Sequence, residues 1–366
     1  MNRTYLSLGA LAWLTIGVVA ASRQSNPSAG SVIAGPHMLE PRSGHTATLL
    51  PDGKILIAGG MRRNQDFYRS AEIFDPASGK FSQTAEMHEP RVGHIAVLLK
   101  SGKVLIAGGW VGRGCTDSAE MYDPKTGRFD PLSRMTARRG NPSATLLPDG
   151  NVLIAGGADH DTPGGIASAE VFDAATAKFR AISPMHFARI SHTATLLSDG
   201  RVLIAGGRGE VVNASAELYD PKSARFTLTG DMATARYKHT SGLLPDGRVL
   251  VAGGSDERDW SGKLASAETY DPQTGKFTAA QSLKGVRYKL PDSAVQLASG
   301  RLLIAGGSKE VEVFDPASGK FSVASGEMTD ARHFMTETAM KDGGVLLAGG
   351  YPDGDLGTVQ TWIYRP

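Results

Sequence analysis

An arginine recurs along this chain with a glutamate after it, a pairing that could serve anion binding or internal ion pairs. The arginines are Arg42, Arg91, Arg139, Arg189, Arg236, Arg287 and Arg332. The glutamates that follow the first six are Glu72, Glu120, Glu170, Glu217, Glu268 and Glu312. Guanidinium groups gathered at one mouth would bind a carboxylate or sulfate bidentately. Alternatively, each arginine pairs with the glutamate of its own unit and serves the fold. Pairing within units would leave Arg332 unpaired, because Trp362 stands at the last glutamate position.

Histidines recur three residues after four of these arginines. They are His45, His94, His192 and His239. A set of imidazoles raises the possibility of a metal site. These four lie in different units and lack tight ligand spacing, so we interpret them as core or turn residues and expect no metal or other cofactor. The units that break the pattern draw attention instead to Asn141, Lys289, Asp292, His333 and Glu337.

These residues sit in a unit that repeats seven times. A short apolar run ends in a glycine pair whose second members are Gly60, Gly109, Gly157, Gly207, Gly254, Gly307 and Gly350. Their steps are 49, 48, 50, 47, 53 and 43 residues, a period typical of stacked or radial repeats. Two β runs flank Pro51-Asp52-Gly53 as a hairpin, and a third and a fourth strand follow. We expect almost no helix, since no window holds a 3.6-residue apolar period.

The glycine pair, then Tyr/Phe-Asp-Pro, then an aromatic residue about six positions later, resembles the kelch motif. The resemblance covers residues 31–366, with phenylalanine where the motif usually has tryptophan at its end. It implies an all-β, seven-bladed kelch-type β-propeller with four-stranded antiparallel blades. Residues 31–38 supply the fourth strand that the last unit lacks. We therefore predict that they pair beside Tyr364 and close the ring.

Residues 1–21 read as a signal peptide, and residues 22–30 as a flexible lead-in. The apolar run in this leader is short for a membrane span, so we expect cleavage, no transmembrane anchor afterwards, and a secreted or periplasmic monomer. The net charge of +2 gives no indication of a nucleic-acid partner. Cys115 is the single cysteine, which excludes an intramolecular disulfide.

Variable loops held by a rigid scaffold usually carry function, which places the site on the face bearing the second-to-third-strand loops and the links between units. The longest such loop is residues 255–265. The ligand-binding candidates on this face are Arg332, Arg287, Arg236, Arg139, Tyr237, Tyr288, Trp110, Trp260, His333 and Glu337. No residue is assigned a catalytic, cofactor-binding or metal-binding role.

We therefore predict an exported, non-catalytic propeller that recognises a protein or a glycan through this face. Two enzyme families with kelch propellers are alternatives. Resemblance to galactose oxidase would imply one copper held by two tyrosines and two histidines, with one tyrosine linked to a cysteine, but the chain has no Tyr-His dipeptide. Resemblance to periplasmic sialic acid mutarotases would imply an arginine-lined pocket and an acid/base carboxylate, for which Glu337 is the candidate, although that family has six units.

Overall fold

The computed structural model describes residues 29–63, 65–159, 164–290, 294–352 and 356–366. The expected signal peptide, residues 22–28 of the lead-in, and Asp292 lie outside this part of the chain. In the described residues, no helix is long and apolar enough to cross a membrane.

Seven antiparallel sheets of four strands form the blades of a propeller. The inner strands, which contact one another around the axis, are Thr46–Leu49, Ile95–Leu98, Ser143–Leu146, Thr193–Leu196, Thr240–Leu243, Val295–Gln296 and Thr336–Ala339. The second strands are Ile55–Ala58, Val104–Ala107, Val152–Ala155, Val202–Ala205, Val249–Ala252, Leu302–Ile304 and Val345–Ala348. The third strands are Ala71–Asp75, Ala119–Asp123, Ala169–Asp173, Ala216–Asp220, Ala267–Asp271, Glu312–Asp315 and Thr361–Arg365. The outer strands are Lys80–Gln83, Arg128–Pro131, Lys178–Ala181, Arg225–Leu228, Lys276–Ala280, Lys320–Val323 and Ser31–Ala34. The prediction of a seven-bladed, all-β propeller is confirmed.

Two short elements lie outside the blades. A ribbon pairs Trp110–Val111 with Gly114–Cys115 in a loop of the second blade. A single 3-10 turn, Asp259–Gly262, lies in the long loop of the fifth blade. The expectation of almost no helix therefore holds for the described residues.

The glycine pairs let each blade approach its neighbour closely. A Cβ atom on Gly59 would lie 2.6 Å from the Arg91 carbonyl oxygen and 2.8 Å from the His94 ring, both in the next blade. A Cβ on Gly60 would lie 2.8 Å from Cβ of His45 in its own blade. Both glycines also have positive φ, at 63° and 92°, so a side chain here would be strained as well as crowded.

The core lies between consecutive blades. Second strands are buried on both faces, as the apolar run Ile55–Ala58 illustrates, because each is covered by a neighbouring blade on either side. Toward the rim, one aromatic side chain from the third strand packs on one from the outer strand. Phe74 and Phe81 have ring centroids 4.8 Å apart, and five further blades repeat this pair.

The N-terminal strand closes the ring. Ser31–Ala34 pairs antiparallel with Thr361–Arg365, and Val32 lies opposite Tyr364. This confirms the predicted completion of the seventh blade by the start of the propeller. Val32 packs in the core with Trp362, whereas its neighbour Ile33 is 53% exposed on the same strand.

Substitution of Val32 by aspartate should lower the free energy of unfolding by about 3 kcal/mol, because it buries an unpaired carboxylate in the closing blade. Ile33→Asp, on the exposed side of the same strand, should change it by about 0.5 kcal/mol or less. Urea denaturation of both variants measures the difference. Equal losses would contradict the packing of this strand in the core.

Candidate functional site

The repeated arginines are buried inside the blades. Arg139 is fully buried, and its Nε donates to Glu170 Oε1 at 2.7 Å. Its Nη1 donates to the carbonyl oxygens of Gly156 and Ser168. The same arginine–glutamate ion pair recurs in six blades, at 2.7–3.1 Å. The pairing of arginine and glutamate within a unit is therefore confirmed for the six units that contain this glutamate.

Because these arginines are buried, they do not form a ring of guanidinium groups that binds a ligand at the mouth, which corrects that expectation. Arg139, Arg236 and Arg287 have no exposed surface and stabilise the loop ends of their own blades. Arg332 is also buried, and the expectation that it is unpaired is wrong. Its Nη2 donates to Gln360 Oε1 at 2.5 Å and to Asp330 at 3.2 Å, and its guanidinium stacks 5.3 Å from the Trp362 ring centroid. The tryptophan at the glutamate position thus receives the cation on its face.

Removing one partner of a buried ion pair should lower the stability of the folded protein. Glu170→Leu should lower the free energy of unfolding by about 3–5 kcal/mol, since it leaves the Arg139 guanidinium buried without its counter-charge. Arg139→Met combined with Glu170→Leu should recover part of that loss. Asp117→Ala, which breaks the exposed pair with Arg134, serves as the control and should cost about 1 kcal/mol or less. Denaturant unfolding measures all three, and a double variant no better than Glu170→Leu would contradict the coupling.

The four repeated histidines connect neighbouring blades. Each Nε2 lies 2.8–3.0 Å from a hydroxyl of the preceding blade, as His94 does from Thr46 and His192 from Ser143. Burial, followed by the charge of the nearby arginine, lowers the pKa of His45, His94 and His192 to about 3, so these rings are neutral. The interpretation of these histidines as core residues agrees with this placement. In the described residues, no three His, Cys, Asp or Glu side chains are grouped to hold a metal.

In every blade, the residue two positions after the repeated arginine has a left-handed backbone conformation. We call this set the mouth ring, and its members are Gly44, Gly93, Asn141, Ser191, Lys238, Lys289 and Phe334, with φ between 49° and 60°. Backbone hydrogen bonds join neighbouring members, including Gly93 N to Gly44 O at 3.0 Å and Gly44 N to Phe334 O at 2.8 Å. A left-handed conformation costs a residue other than glycine about 1–2 kcal/mol, and such strain clusters at functional sites.

The mouth ring encircles the opening of a cavity of about 680 Å³ on the propeller axis. Six of its seven members line this cavity, together with the starts of several inner strands and parts of the second-to-third-strand loops. The cavity therefore opens on the predicted face. Its aromatic lining residues are Phe67, Trp110 and Phe334, and its charged ones are Arg113, Lys238 and Glu337.

A polar and aromatic cluster lies beside the mouth, on blades five to seven. The Lys238 ammonium donates to Asp259 at 3.1 Å and to the Tyr288 hydroxyl at 2.9 Å. The hydroxyls of Tyr237 and Tyr288 also donate to Asp259. Burial by itself raises the pKa of Asp259, but these three donors outweigh it and hold the value at about 2. The cluster fixes the long loop of the fifth blade over the mouth.

The predicted aromatic candidates Trp260 and His333 join this cluster. Trp260 stacks edge-on against Tyr288 and His333, at centroid distances of 6.1 and 5.5 Å. Tyr237, Tyr288 and His333 are buried, whereas Trp260 is 47% exposed and carries the Lys263 ammonium 3.3 Å above its ring centroid. These residues build the rim, and Trp260 alone among them offers a broad exposed ring.

Glu337 is the one acidic side chain lining the cavity in the described residues. It is the second residue of its inner strand, a position held in five other blades by Ala47, Ala96, Ala144, Ala194 and Ser241. Oε1 accepts a hydrogen bond from the Ala305 amide at 2.8 Å, while Oε2 is buried and has no partner among the described residues. Burial raises the pKa of Glu337 to about 8, against the smaller effects of this hydrogen bond and Arg287. The carboxyl group is therefore protonated at neutral pH.

This pKa predicts a pH-dependent stability. Because the folded-state pKa lies above the ordinary value of 4.5, the contribution of Glu337 is complete below that value and is lost as the pH rises to about 8. Glu337→Gln, which keeps the acceptor for Ala305, should remove this dependence. Thermal unfolding measures the melting temperatures of both proteins from pH 4.5 to about 8. As the pH rises, the melting temperature of the intact protein should fall relative to that of Glu337→Gln. A constant difference would contradict the raised pKa.

The structure brings two of the ten sequence-predicted candidates into the cavity, Trp110 and Glu337. It places four in a cluster beside the mouth and four inside the blades. Sequence reasoning missed Lys238, Asp259 and Phe334 as site residues. The signal for Lys238 and Phe334 was available, because the position two residues after each arginine varies while its neighbours repeat.

Comparison with known proteins agrees with this architecture. The kelch motif matches residues 41–88 and 93–136, which are the first two blades. The chain is a seven-bladed propeller whose first two blades match the kelch motif. No curated protein sequence matches it.

A search of solved structures finds a similar fold in a protein described as a novel fungal alcohol oxidase with catalytic diversity among the AA5 family, in complex with copper. The TM-score is 0.76 at 18% identity, over 93% of this chain and 77% of the other. At this identity, the likeness concerns the fold.

The side chains at this mouth do not fit a copper centre of the kind that galactose oxidases use. The repeated histidines direct Nε2 to hydroxyls between blades, as His239 does to Thr193. The two tyrosine hydroxyls that converge, those of Tyr237 and Tyr288, meet Asp259 and an ammonium in place of imidazoles. Cys115 is buried, and desolvation raises the pKa of its thiol to about 12.

Proposed function

We propose that this protein is an exported, non-catalytic binding propeller whose axial cavity takes the end of a glycan. The observation that carries the proposal is the cavity of about 680 Å³, open on the face of variable loops and lined by both aromatic and polar side chains. This volume falls in the range of small-ligand sites. Export rests on the leader at residues 1–21.

The lining residues suit a sugar. Phe67, Trp110 and Phe334 offer apolar ring surface, and Gln65, Asn141 and Ser191 offer amide and hydroxyl groups beside it. A pyranose ring presents apolar C–H faces and hydroxyl edges, which need this combination. A cavity of this volume on the axis favours an inserted chain end over a flat protein surface. Glycan recognition is therefore preferred here over a protein partner.

The two enzymatic alternatives receive less support. A copper oxidase would need histidines directed at a metal, whereas the cavity-lining His45 and His94 direct Nε2 to threonine hydroxyls between blades. A mutarotase would need an arginine-lined pocket, and the arginines that suggested one are committed to ion pairs inside the blades. Of the residues suggested for a mutarotase, only Glu337 lines the cavity, and this position is equally compatible with a role in binding without catalysis.

The proposal predicts that aromatic residues of the cavity carry glycan affinity. Trp110→Ala and Phe67→Ala should each weaken binding by about 1–2 kcal/mol, roughly tenfold in Kd, through lost stacking on a sugar. The assay screens the purified protein, from residue 22, on an array of neutral and acidic oligosaccharides, and then titrates the best of these by calorimetry.

Trp260→Ala is the matched control, since this exposed tryptophan lies on the same face but outside the cavity. It should leave the affinity unchanged. Melting temperatures of all three variants separate loss of binding from loss of folding. An array with no bound glycan, or equal losses for Trp110→Ala and Trp260→Ala, would overturn the proposal in favour of a protein partner.

A further inference from the structure

The wall of the cavity contains a carboxyl group with an unmet hydrogen-bonding capacity. Glu337 takes a position that alanine or serine holds in five other blades, so a long polar side chain is introduced where the repeat needs only a small one. Its Oε1 is bound by Ala305, and its Oε2 has no partner among the described residues. A buried polar atom without a partner costs about 1–3 kcal/mol. Among such atoms in the described residues, Glu337 Oε2 is the one that belongs to a carboxyl group lining the cavity.

The charges around Glu337 set its protonation. Arg287, from the link before the sixth blade, is the charged group that acts on it most directly, and it is already neutralised by Glu312 at 2.9 Å. His45, in the adjacent first blade, is neutral because its pKa is lowered to about 3. The other charged residues lining the cavity are Arg113 and Lys238. With its carboxyl group protonated, Glu337 carries an O–H donor, which lies beneath the cavity surface because Oε2 is buried.

The cavity lining then bears net positive charge. Arg113 is exposed at the opening, and Lys238 contributes a second cation that Asp259 partly balances from outside the cavity, at 3.1 Å. A protonated Glu337 adds no negative charge. An O–H donor in a positively charged cavity is complementary to a carboxylate oxygen, and the resulting O–H···O⁻ hydrogen bond is among the stronger ones.

We propose that the glycan bound in this cavity carries a carboxylate, and that the Glu337 side chain rotates on binding so that its buried Oε2 reaches the cavity and donates a hydrogen bond to that carboxylate. This inference rests on the proposed function and specifies its ligand as an acidic sugar. Glu337 acts as a binding residue. Ionisation of Glu337 removes the donor and places two carboxylates together, so affinity falls as the pH rises.

The test compares two probes that differ only in the terminal sugar, a glucuronate-terminated oligosaccharide and its glucose-terminated counterpart. Calorimetric titrations span pH 6 to 9. The intact protein should bind the glucuronate probe at least about tenfold more tightly at pH 6, the worth of one good charge-assisted hydrogen bond. That preference should decline by about tenfold per pH unit above the pKa of Glu337.

Two variants identify the donor. Glu337→Gln retains an N–H donor without a titrating proton, so it should keep its preference for the glucuronate probe up to pH 9. Glu337→Ala should lose the preference at every pH and bind both probes alike. Melting temperatures at each pH establish that both variants are folded.

The outcomes separate this inference from the proposed function. Binding of the glucose probe with equal or greater affinity would overturn the carboxylate assignment and leave glycan binding intact. A pH profile shared by the intact protein and Glu337→Gln would overturn the role of Glu337. Failure of both probes and of the whole array would overturn the proposed function, and this inference with it.

Discussion

The fold depends on a buried guanidinium in each blade. In six blades its donors bind the carbonyl oxygen of the first glycine in the glycine pair, a carbonyl ahead of the third strand, and a glutamate on that strand, as Arg139 illustrates. Three segments that meet at the mouth are thereby joined by one side chain. Arginine suits this position because its planar fork supplies several donors in a fixed geometry. The burial of so much charge is tolerated because each arginine of the six pairs binds both its glutamate and backbone carbonyl oxygens, even though Nε of Arg91, Arg189 and Arg236 has no partner among the described residues.

The last blade shows how much of this arrangement can vary. Trp362 replaces the glutamate, and Arg332 turns to Gln360 and to the face of the tryptophan ring. The ring still closes, because the seventh blade obtains its outer strand from the other end of the propeller. The charge of the arginine is thus more constant than the nature of its partner.

The repeat made the propeller predictable from the sequence. Glycine pairs recur in all seven blades, paired aromatics in six and Asp-Gly turns in five, and even the closing strand follows from counting strands. The site was predictable only in part. Residue counts could not show whether arginines face a ligand or a glutamate of their own blade, since both fit the same spacing. Lys238 and Asp259 come together through a left-handed backbone and a folded loop, which no periodicity encodes. Glu337 was noticed because it breaks the repeat.

The mouth ring combines a uniform backbone with varied side chains. Its amide and carbonyl groups are used in bonds between blades, so the side chains contribute little to holding the ring together. Glycine, asparagine, serine, lysine and phenylalanine all occupy the same conformation there. This separation explains why a regular scaffold can present an asymmetric opening.

The pairing of Ser31 with Arg365 also determines the orientation of the propeller when it is attached through its N-terminal or C-terminal strand. Both residues lie at the edge of the seventh blade that faces away from the mouth, since Ser31–Ala34 runs toward the links on the mouth side and Thr361–Arg365 runs from it. A tether, a tag or a neighbouring domain joined at either end would therefore extend from the opposite surface. Attached to a wall, a bead or a sensor chip, the propeller would present its opening outward.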